Sequence, residues 1–322
     1  MRMGDNKNPI GVFDSGVGGL SVFQRIRVHL PHEALLYVAD SGHAPYGNKP
    51  AEFIARRAFA ITEFLLEQGA KAVVVACNTA TAAAIARLRA HFSIPIIGIE
   101  PALKPAVAET RSGVVGILAT GNTVRSDKFA ALLDQHGHRA RVMVQPCPGL
   151  ADCVEHGELS GPRPRVLLER YLEPLLAQGA DTLVLGCTHY PFLIPLIQRL
   201  AGPNVAILDP SPAVARQLRR RLEAVDLLAD GQAVGGERYF TSGAPEPTAR
   251  LMARLLGHPV TLEILPERFR QGGICQILES LPVLDAARVA RIQQLPLAEA
   301  LLDFQTPADL AAWPAGQERG DP

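Results

Sequence analysis

The sequence is organised around the stretch Val73-Val-Val-Ala-Cys77-Asn-Thr-Ala-Thr81, in which an apolar run leads into a cysteine and then into polar residues. Three consecutive valines followed by an alanine predict a strand that is buried on both faces of a sheet. Residues 81–92 predict a helix, so Cys77 stands where the strand ends, at the edge of an open α/β sheet where ligands bind. The free N–H groups of the helix start favour an anion, and we expect them to lower the pKa of the Cys77 thiol from its free value of about 8.5.

A second stretch repeats this pattern. It reads Asp181-Thr-Leu-Val-Leu-Gly-Cys187-Thr-His-Tyr-Pro191, and a helix is predicted over residues 191–200. Residues 10–16 and 115–121 also resemble each other, at nearly the separation of the two cysteines. Two repeated offsets predict two similar α/β halves that each place one cysteine in a shared cleft. The alternative is that both cysteines are small buried apolar residues, as free cysteines usually are.

The bulk composition is that of a globular protein with no charge bias. The chain has 322 residues, 48% of them hydrophobic, with 32 basic and 32 acidic side chains, so no overall charge favours binding to nucleic acid. The first residues lack the apolar segment of a secretory signal, and no apolar run is long enough to span a membrane. The odd number of cysteines shows no disulfide spacing, and Cys147 and Cys153 lack a matching Cys/His pair for a metal. We therefore expect a cytoplasmic protein without a metal site.

Strands and helices alternate along the chain, which predicts an α/β fold of two pseudo-symmetric, doubly wound parallel-sheet domains with the active site between them. The final residues are rich in proline, glycine and charge, which is typical of disorder. The expected segments are a first domain that carries Cys77 (residues 1–99 and 208–266), a second domain that carries Cys187 (residues 100–207) and a short C-terminal extension (residues 267–322) that is partly helical, as near 297–304, and disordered at its end.

A glycine-rich turn follows the first predicted strand. Gly16, Gly18 and Gly19 leave backbone N–H groups open to an anion, in a spacing that is neither a dinucleotide fingerprint nor a P-loop. A carboxylate-sized ligand is expected there, and a tight turn without a ligand is the alternative. Thr120 follows the corresponding strand of the second half, where it either caps a helix or holds ligand oxygens. Tyr46, in a loop of the first half, is a candidate for the pocket wall or an ordinary surface tyrosine.

Two thiols facing each other across one small-molecule site suit the inversion of a carbon centre. One thiolate removes a proton from one face while the other thiol donates a proton to the opposite face, whereas a single base would tend to return the proton to its original side. We expect His189 to assist Cys187 as a base or charge partner, and Asp14 to assist Cys77 from the neighbouring strand. A capping or packing histidine is the alternative for His189. Since no pyridoxal-phosphate or nicotinamide fingerprint is present, the expected mechanism uses no cofactor.

Four motifs together resemble the glutamate racemases of the aspartate/glutamate racemase superfamily. In chain order they are Phe13-Asp-Ser-Gly-Val-Gly-Gly-Leu20, Pro45-Tyr-Gly47, Ala76-Cys-Asn-Thr79 and Gly186-Cys-Thr-His-Tyr-Pro191. The resemblance spans roughly residues 9–266 and implies that Cys77 and Cys187 are the two catalytic acid/base thiols, with further residues close to the reaction. These further candidates for catalysis are Asp14, Glu155 and His189, and the substrate contacts it implies are Asp14, Ser15, Asp40, Pro45, Tyr46, Gly47, Asn78, Thr79, Thr188 and His189.

The resemblance also implies a biological setting. Glutamate is the expected substrate, and the D-glutamate produced enters peptidoglycan. We expect a homodimer that binds no membrane and no nucleic acid directly. A racemase for another acidic amino acid such as aspartate, or for a hydantoin, is one alternative. Because some glutamate racemases bind DNA gyrase, a mainly non-catalytic binding role is the other, although nothing in the sequence itself favours it.

Overall fold

A computed structural model of the chain describes residues 6–231 and 234–271. These residues form two parallel sheets, each covered by helices, which we call the first lobe (six strands) and the second lobe (four strands). The strands are β1 (Ile10–Asp14), β2 (Leu35–Ala39), β3 (Ala72–Val75), β4 (Ile96–Gly98), β5 (Val114–Ala119), β6 (Arg141–Pro146), β7 (Thr182–Gly186), β8 (Ala206–Leu208), β9 (Glu237–Thr241) and β10 (Leu262–Ile264).

The two sheets share one winding, which confirms the predicted pseudo-symmetry. The first is ordered β10-β9-β2-β1-β3-β4 and the second β6-β5-β7-β8, so β2-β1-β3-β4 corresponds strand for strand to β6-β5-β7-β8. In each sheet the second strand lies on one side of the first strand and the third strand on the other. The strand order therefore reverses between β1 and β3 and between β5 and β7. Register aligns Phe13 with Val75 in one sheet and Ala119 with Gly186 in the other. Residues that follow these strands therefore meet at the switch points where α/β sheets bind ligands.

Helices cover both faces of the sheets. α2 places buried apolar residues such as Ile54, Ala58, Ile61 and Leu65 on its inner face with the helical period of 3.6 residues. The helices are α1 (Leu20–His29), α2 (Ala51–Glu67), α3 (Asn78–His91), α4 (Leu103–Glu109), α5 (Gly121–Val124), α6 (Asp127–His136), α7 (Leu150–Glu155), α8 (Pro162–Ala177), α9 (Ile194–Ala201), α10 (Ser211–Glu223), α11 (Pro245–Leu256) and α12 (Glu267–Arg270). Among the helices in these described ranges, none is long and apolar enough to cross a membrane.

Two predicted helix starts are wrong, and the observed starts show that the two cysteine corners differ. α3 begins at Asn78 rather than at residue 81, because the Cys77 side chain itself caps the helix by accepting a bond from the Ala80 N–H. The helix expected from Pro191 is instead a 3₁₀ turn, Tyr190–Leu193, which precedes α9. Cys187 therefore lies several residues from the nearest α-helix and does not cap it.

The chain returns to the first lobe after the second, since β9 pairs with β2 and β10 with β9. α12 lies within the segment that we predicted to be an extension, yet its Phe269 is 4% exposed and packs edge-on against Phe64 of α2, with ring centroids 5.5 Å apart. The helix predicted near residues 297–304 and the predicted disordered end lie outside the described residues.

Candidate active site

A cavity of about 200 Å³ lies between the carboxyl edges of the two sheets. It is smaller than the pockets of about 300–1,000 Å³ that hold drug-sized ligands, which suits a small metabolite. Most of the residues that the sequence predicted for the site line it. From the first lobe these are Ser15, Pro45, Tyr46, Gly47, Cys77, Asn78 and Thr79, and from the second they are Thr120, Cys187, Thr188 and His189.

Cys77 forms the first-lobe side of the chemistry. Its Sγ accepts a hydrogen bond of 3.4 Å from the Ala80 N–H, and the carboxyl of Asp14 is also its hydrogen-bond partner. Burial, followed by the negative charge of Asp14, raises the pKa of the Cys77 thiol well above its ordinary value. The lowered pKa expected from the helix start is therefore wrong, because desolvation of the thiolate outweighs the single N–H bond. The corner favours a protonated thiol.

Cys187 has a different electrostatic setting. Its Sγ lies 3.6 Å from Nδ1 of His189, while Nε2 of the same ring lies 2.6 Å from Oε1 of Glu155. Burial lowers the pKa of His189, but hydrogen bonds to Cys187 and Glu155 outweigh that effect and raise it well above its ordinary value. The ring is thus favoured as an imidazolium, and a cation beside a cysteine stabilises the thiolate.

The glycine-rich turn brings these groups together. Oε1 of Glu155 accepts the Val17 N–H at 2.9 Å, and Oδ2 of Asp14 accepts the Gly19 N–H at 2.9 Å. Two N–H groups of the turn are therefore occupied by carboxylates of the protein itself. A Cβ on Gly18 would stand 2.3 Å from Nδ1 of His189, so the lobes approach this closely only because Gly18 has no side chain.

Neither Asp14 nor Glu155 lines the cavity. Asp14 is fully buried behind Cys77, and burial raises the pKa of its carboxyl. Glu155 lines a separate, larger groove and reaches the cavity only through His189. The structure thus places both acids one residue away from the space that a ligand would occupy.

The Asn78 side chain is the unsatisfied polar group on the cavity wall. It is 4% exposed, and neither Oδ1 nor Nδ2 has a hydrogen-bond partner among the described residues. Beside it, Oγ1 of Thr120 lies 3.0 Å from Oγ1 of Thr79 and 2.9 Å from Oγ1 of Thr123. A buried amide without partners is costly, at about 1–3 kcal/mol per group, unless a ligand supplies them.

Asp40 is not on the cavity wall, which corrects its predicted role in substrate binding. Its carboxylate accepts two bonds of 2.8 Å from Arg57 and a further bond from the Tyr46 hydroxyl. Although burial opposes it, hydrogen bonds from His43 and Arg57 together with the charge of Arg57 hold the pKa of Asp40 well below its usual range. Its oxygens are engaged by the protein, so Asp40 supports Tyr46 from behind.

Several wall residues escaped the sequence analysis. They come from the loop before α2, from the segment around α5, and from the stretch that joins the end of β6 to the start of α7. They are Asn48, Gly121, Arg125, Pro146, Cys147, Pro148, Gly149, Ala151 and Asp152. The loop after β6 follows a strand paired in register with β5, so the carboxyl-edge rule applied to that strand would have found it. Arg125 carries no comparable signal, because its place at the mouth depends on how α5 meets the first lobe.

Comparison with known proteins identifies the family. Residues 10–218 match the family model of the Asp/Glu/Hydantoin racemases. The chain is 56% identical over 270 residues to the glutamate racemase of Methylococcus capsulatus, covering 84% of this chain and 100% of that relative. The crystal structure of a glutamate racemase isoform from Bacillus anthracis superposes with a TM-score of 0.75 at 35% identity, covering 81% of this chain and 98% of that one. The Escherichia coli glutamate racemase in complex with L-glutamate and the activator UDP-MurNAc-ala gives a TM-score of 0.71 at 32% identity, covering 80% and 98%. This chain therefore belongs to the Asp/Glu/Hydantoin racemase family and is an isomerase.

Proposed function

We propose that this protein interconverts L-glutamate and D-glutamate by proton transfer at Cα between two cysteine thiols, without a cofactor. The support is the placement of Cys77 and Cys187 on one small cavity, each at the switch point of its own sheet. The similarity to glutamate racemases, including the Escherichia coli enzyme whose structure contains L-glutamate, favours glutamate over aspartate or a hydantoin. D-glutamate made in this way would supply peptidoglycan synthesis.

The observation that carries the proposal is the buried, unpartnered amide of Asn78. Its Nδ2 needs an acceptor and its Oδ1 needs a donor, and both atoms are buried. An α-amino acid offers a carboxylate and an ammonium group a few ångströms apart, so one ligand satisfies both needs. The amide is thus suited to hold the two invariant groups of an amino acid while Cα lies between the thiols.

The two corners are prepared for opposite halves of the reaction. With the His189 imidazolium beside it, Cys187 is the base: its thiolate takes the Cα proton, the C–H bond breaks, and the electron pair remains on the substrate. Cys77, kept protonated by burial and Asp14, donates its proton to the opposite face and completes the inversion. The protein then holds a Cys187 thiol and a Cys77 thiolate, which is the state that reacts with the other enantiomer. Glu155 orients His189 and stabilises its charge.

Exchange with solvent tests this mechanism. In deuterated water the wild-type protein should convert L-glutamate into D-glutamate that carries deuterium at Cα, detected by mass spectrometry and circular dichroism. Cys77→Ala and Cys187→Ala should each abolish racemisation, because an alanine can neither remove nor donate the proton. Cys153→Ala removes a buried thiol that does not line the cavity and should retain turnover.

The proposal fails if either cavity variant racemises glutamate at a rate close to that of the wild type. It also fails if turnover requires added pyridoxal phosphate, or if the wild type acts on aspartate and not on glutamate.

A further inference from the structure

The loop Pro45–Lys49 belongs to the first lobe, borders the cavity and contacts the second lobe. It follows β2 in the first lobe, and Pro45, Tyr46, Gly47 and Asn48 all border the cavity. Tyr46 is 1% exposed and fixed from behind by Asp40, whose ion pair with Arg57 is also buried. The side of the loop that faces the second lobe has no such buried ion pair among the described residues.

Asn122 of α5 makes the contact across that side. Its Nδ2 donates to the carbonyl oxygen of Tyr46 at 3.1 Å and to that of Lys49 at 2.8 Å. Its Oδ1 accepts a bond of 2.8 Å from Nη2 of Arg125, which fixes the orientation of the amide. We call Asn122 and the two carbonyl groups the latch. One side chain of the second lobe thereby holds the loop on either side of Gly47 and Asn48, which border the cavity.

Thr120 of the second lobe lies beside the latch. A Cβ added to Gly47 would stand 3.4 Å from Cβ of Thr120, which caps α5 through a bond to the Thr123 N–H. Thr120 also lies within hydrogen-bond distance of Thr79 of the first lobe. The latch thus lies beside a second contact between the lobes, and Tyr46, Thr79 and Thr120 of these two contacts line the cavity.

We propose that Asn122 is a positioning residue that latches the Pro45–Lys49 loop across the cavity and sets how tightly the substrate is held. This inference rests on the racemase function proposed above. An asparagine suits this position because its amide nitrogen supplies two donors to two carbonyl oxygens, while its oxygen accepts from Arg125. An aspartate in its place has no donor and would set negative charge against both carbonyl groups.

The expected change in KM follows from the fraction of molecules in which the loop is closed. Without the latch, the loop spends less time in the position that completes the cavity, and the apparent affinity falls by the fraction of closed molecules. Once the substrate is bound in a closed cavity, the thiols are unchanged, so kcat should change little. Loss of two hydrogen bonds corresponds to a rise in KM of about tenfold.

The test compares three substitutions in the full-length protein. Asn122→Ala removes the latch, and Asn122→Asp removes its donors while keeping its size and its Arg125 partner. Asn204→Ala is the matched control, because Asn204 is an exposed asparagine of the second lobe that does not line the cavity. We measure KM and kcat for both enantiomers, the unfolding temperature, and hydrogen–deuterium exchange of the peptide that contains residues 46–49 in the free protein.

Both Asn122 variants should raise KM about tenfold for both enantiomers, with the larger effect for Asn122→Asp, and should speed exchange in the loop peptide. The control should match the wild type. KM values within twofold of the wild type in both variants, or an unchanged loop exchange, would overturn the latch, as would a fall in kcat at unchanged KM. If the wild type has no activity on glutamate, the proposed function fails, and the exchange data alone decide the latch.

Discussion

Replacing Asp40 with asparagine tests how the first lobe supports Tyr46. Asp40 and Arg57 are both buried, with side-chain exposures of 0% and 1%, and two bonds of 2.8 Å join them. Asp40→Asn leaves the guanidinium of Arg57 buried without a counter-charge. Removing one partner of such a pair costs about 3–5 kcal/mol, a large share of a typical free energy of unfolding of about 5–15 kcal/mol.

A matched control separates the cost of breaking a buried ion pair from the cost of breaking an exposed one. Glu52 and Arg87 form another carboxylate–guanidinium pair, between α2 and α3, but their side chains are 56% and 29% exposed. Because solvent screens an exposed pair, Glu52→Gln should cost less than about 1 kcal/mol. Urea unfolding of the wild type and both variants at pH 7 measures the two costs directly.

The pH dependence gives a second check. Since the pKa of Asp40 is lowered in the folded protein, its stabilisation is present above its unfolded value, near 3.8, and is lost as pH falls through the lower folded value. The difference in the free energy of unfolding between the wild type and Asp40→Asn should therefore stay constant from pH 5 to pH 8. It should narrow only in more acidic solution, at about pH 4 and below. An Asp40→Asn variant that costs no more than Glu52→Gln would refute this reasoning.

Two further predictions concern the site, and a third concerns α12. Asn78→Leu should abolish glutamate turnover but leave the free protein as stable as the wild type or more stable in urea, because it removes a buried amide without partners. The pKa of His189 is raised, so its ion pair with Glu155 stabilises the folded protein fully below the ordinary value of 6.5. This stabilisation is lost as pH rises through the raised value. Glu155→Gln should therefore lower the free energy of unfolding more at pH 6 than at pH 9. A chain that ends after α12, at residue 271, should racemise glutamate, whereas one that also lacks α12 loses a buried phenylalanine and should be less stable to urea by about 3–5 kcal/mol.

The sequence alone determined the fold class and the two thiols. A buried apolar run that ends in a small residue, a cysteine and polar residues is a local pattern, and it predicts a strand whose carboxyl end carries a reactive group. Because that pattern occurs twice, around Cys77 and Cys187, the repeat also predicted two similar sheets and one shared cleft. Parallel strands share a carboxyl edge, so the order of elements was enough to bring these residues to one side.

The electrostatic difference between the corners was decided by the tertiary structure. By local sequence pattern the two cysteines look equivalent. Whether each one caps a helix depends on where the following helix begins, and both helices begin at residues other than the predicted ones. Glu155 reaches His189 from the end of α7, past Gly18, which has no side chain. The charge on a buried group depends on such distant neighbours, which periodicity does not report.

The same limit explains Asp40 and Asn122. Asp40 follows a strand at the expected edge, yet it does not line the cavity, and its carboxylate pairs with Arg57 of α2. Asn122 looks like an ordinary residue after a strand, and its role arises only because the lobes bring it to the carbonyl groups of Tyr46 and Lys49. Strand ends are determined by local sequence, whereas the side chains that complete a site between two lobes are determined by how the lobes pack.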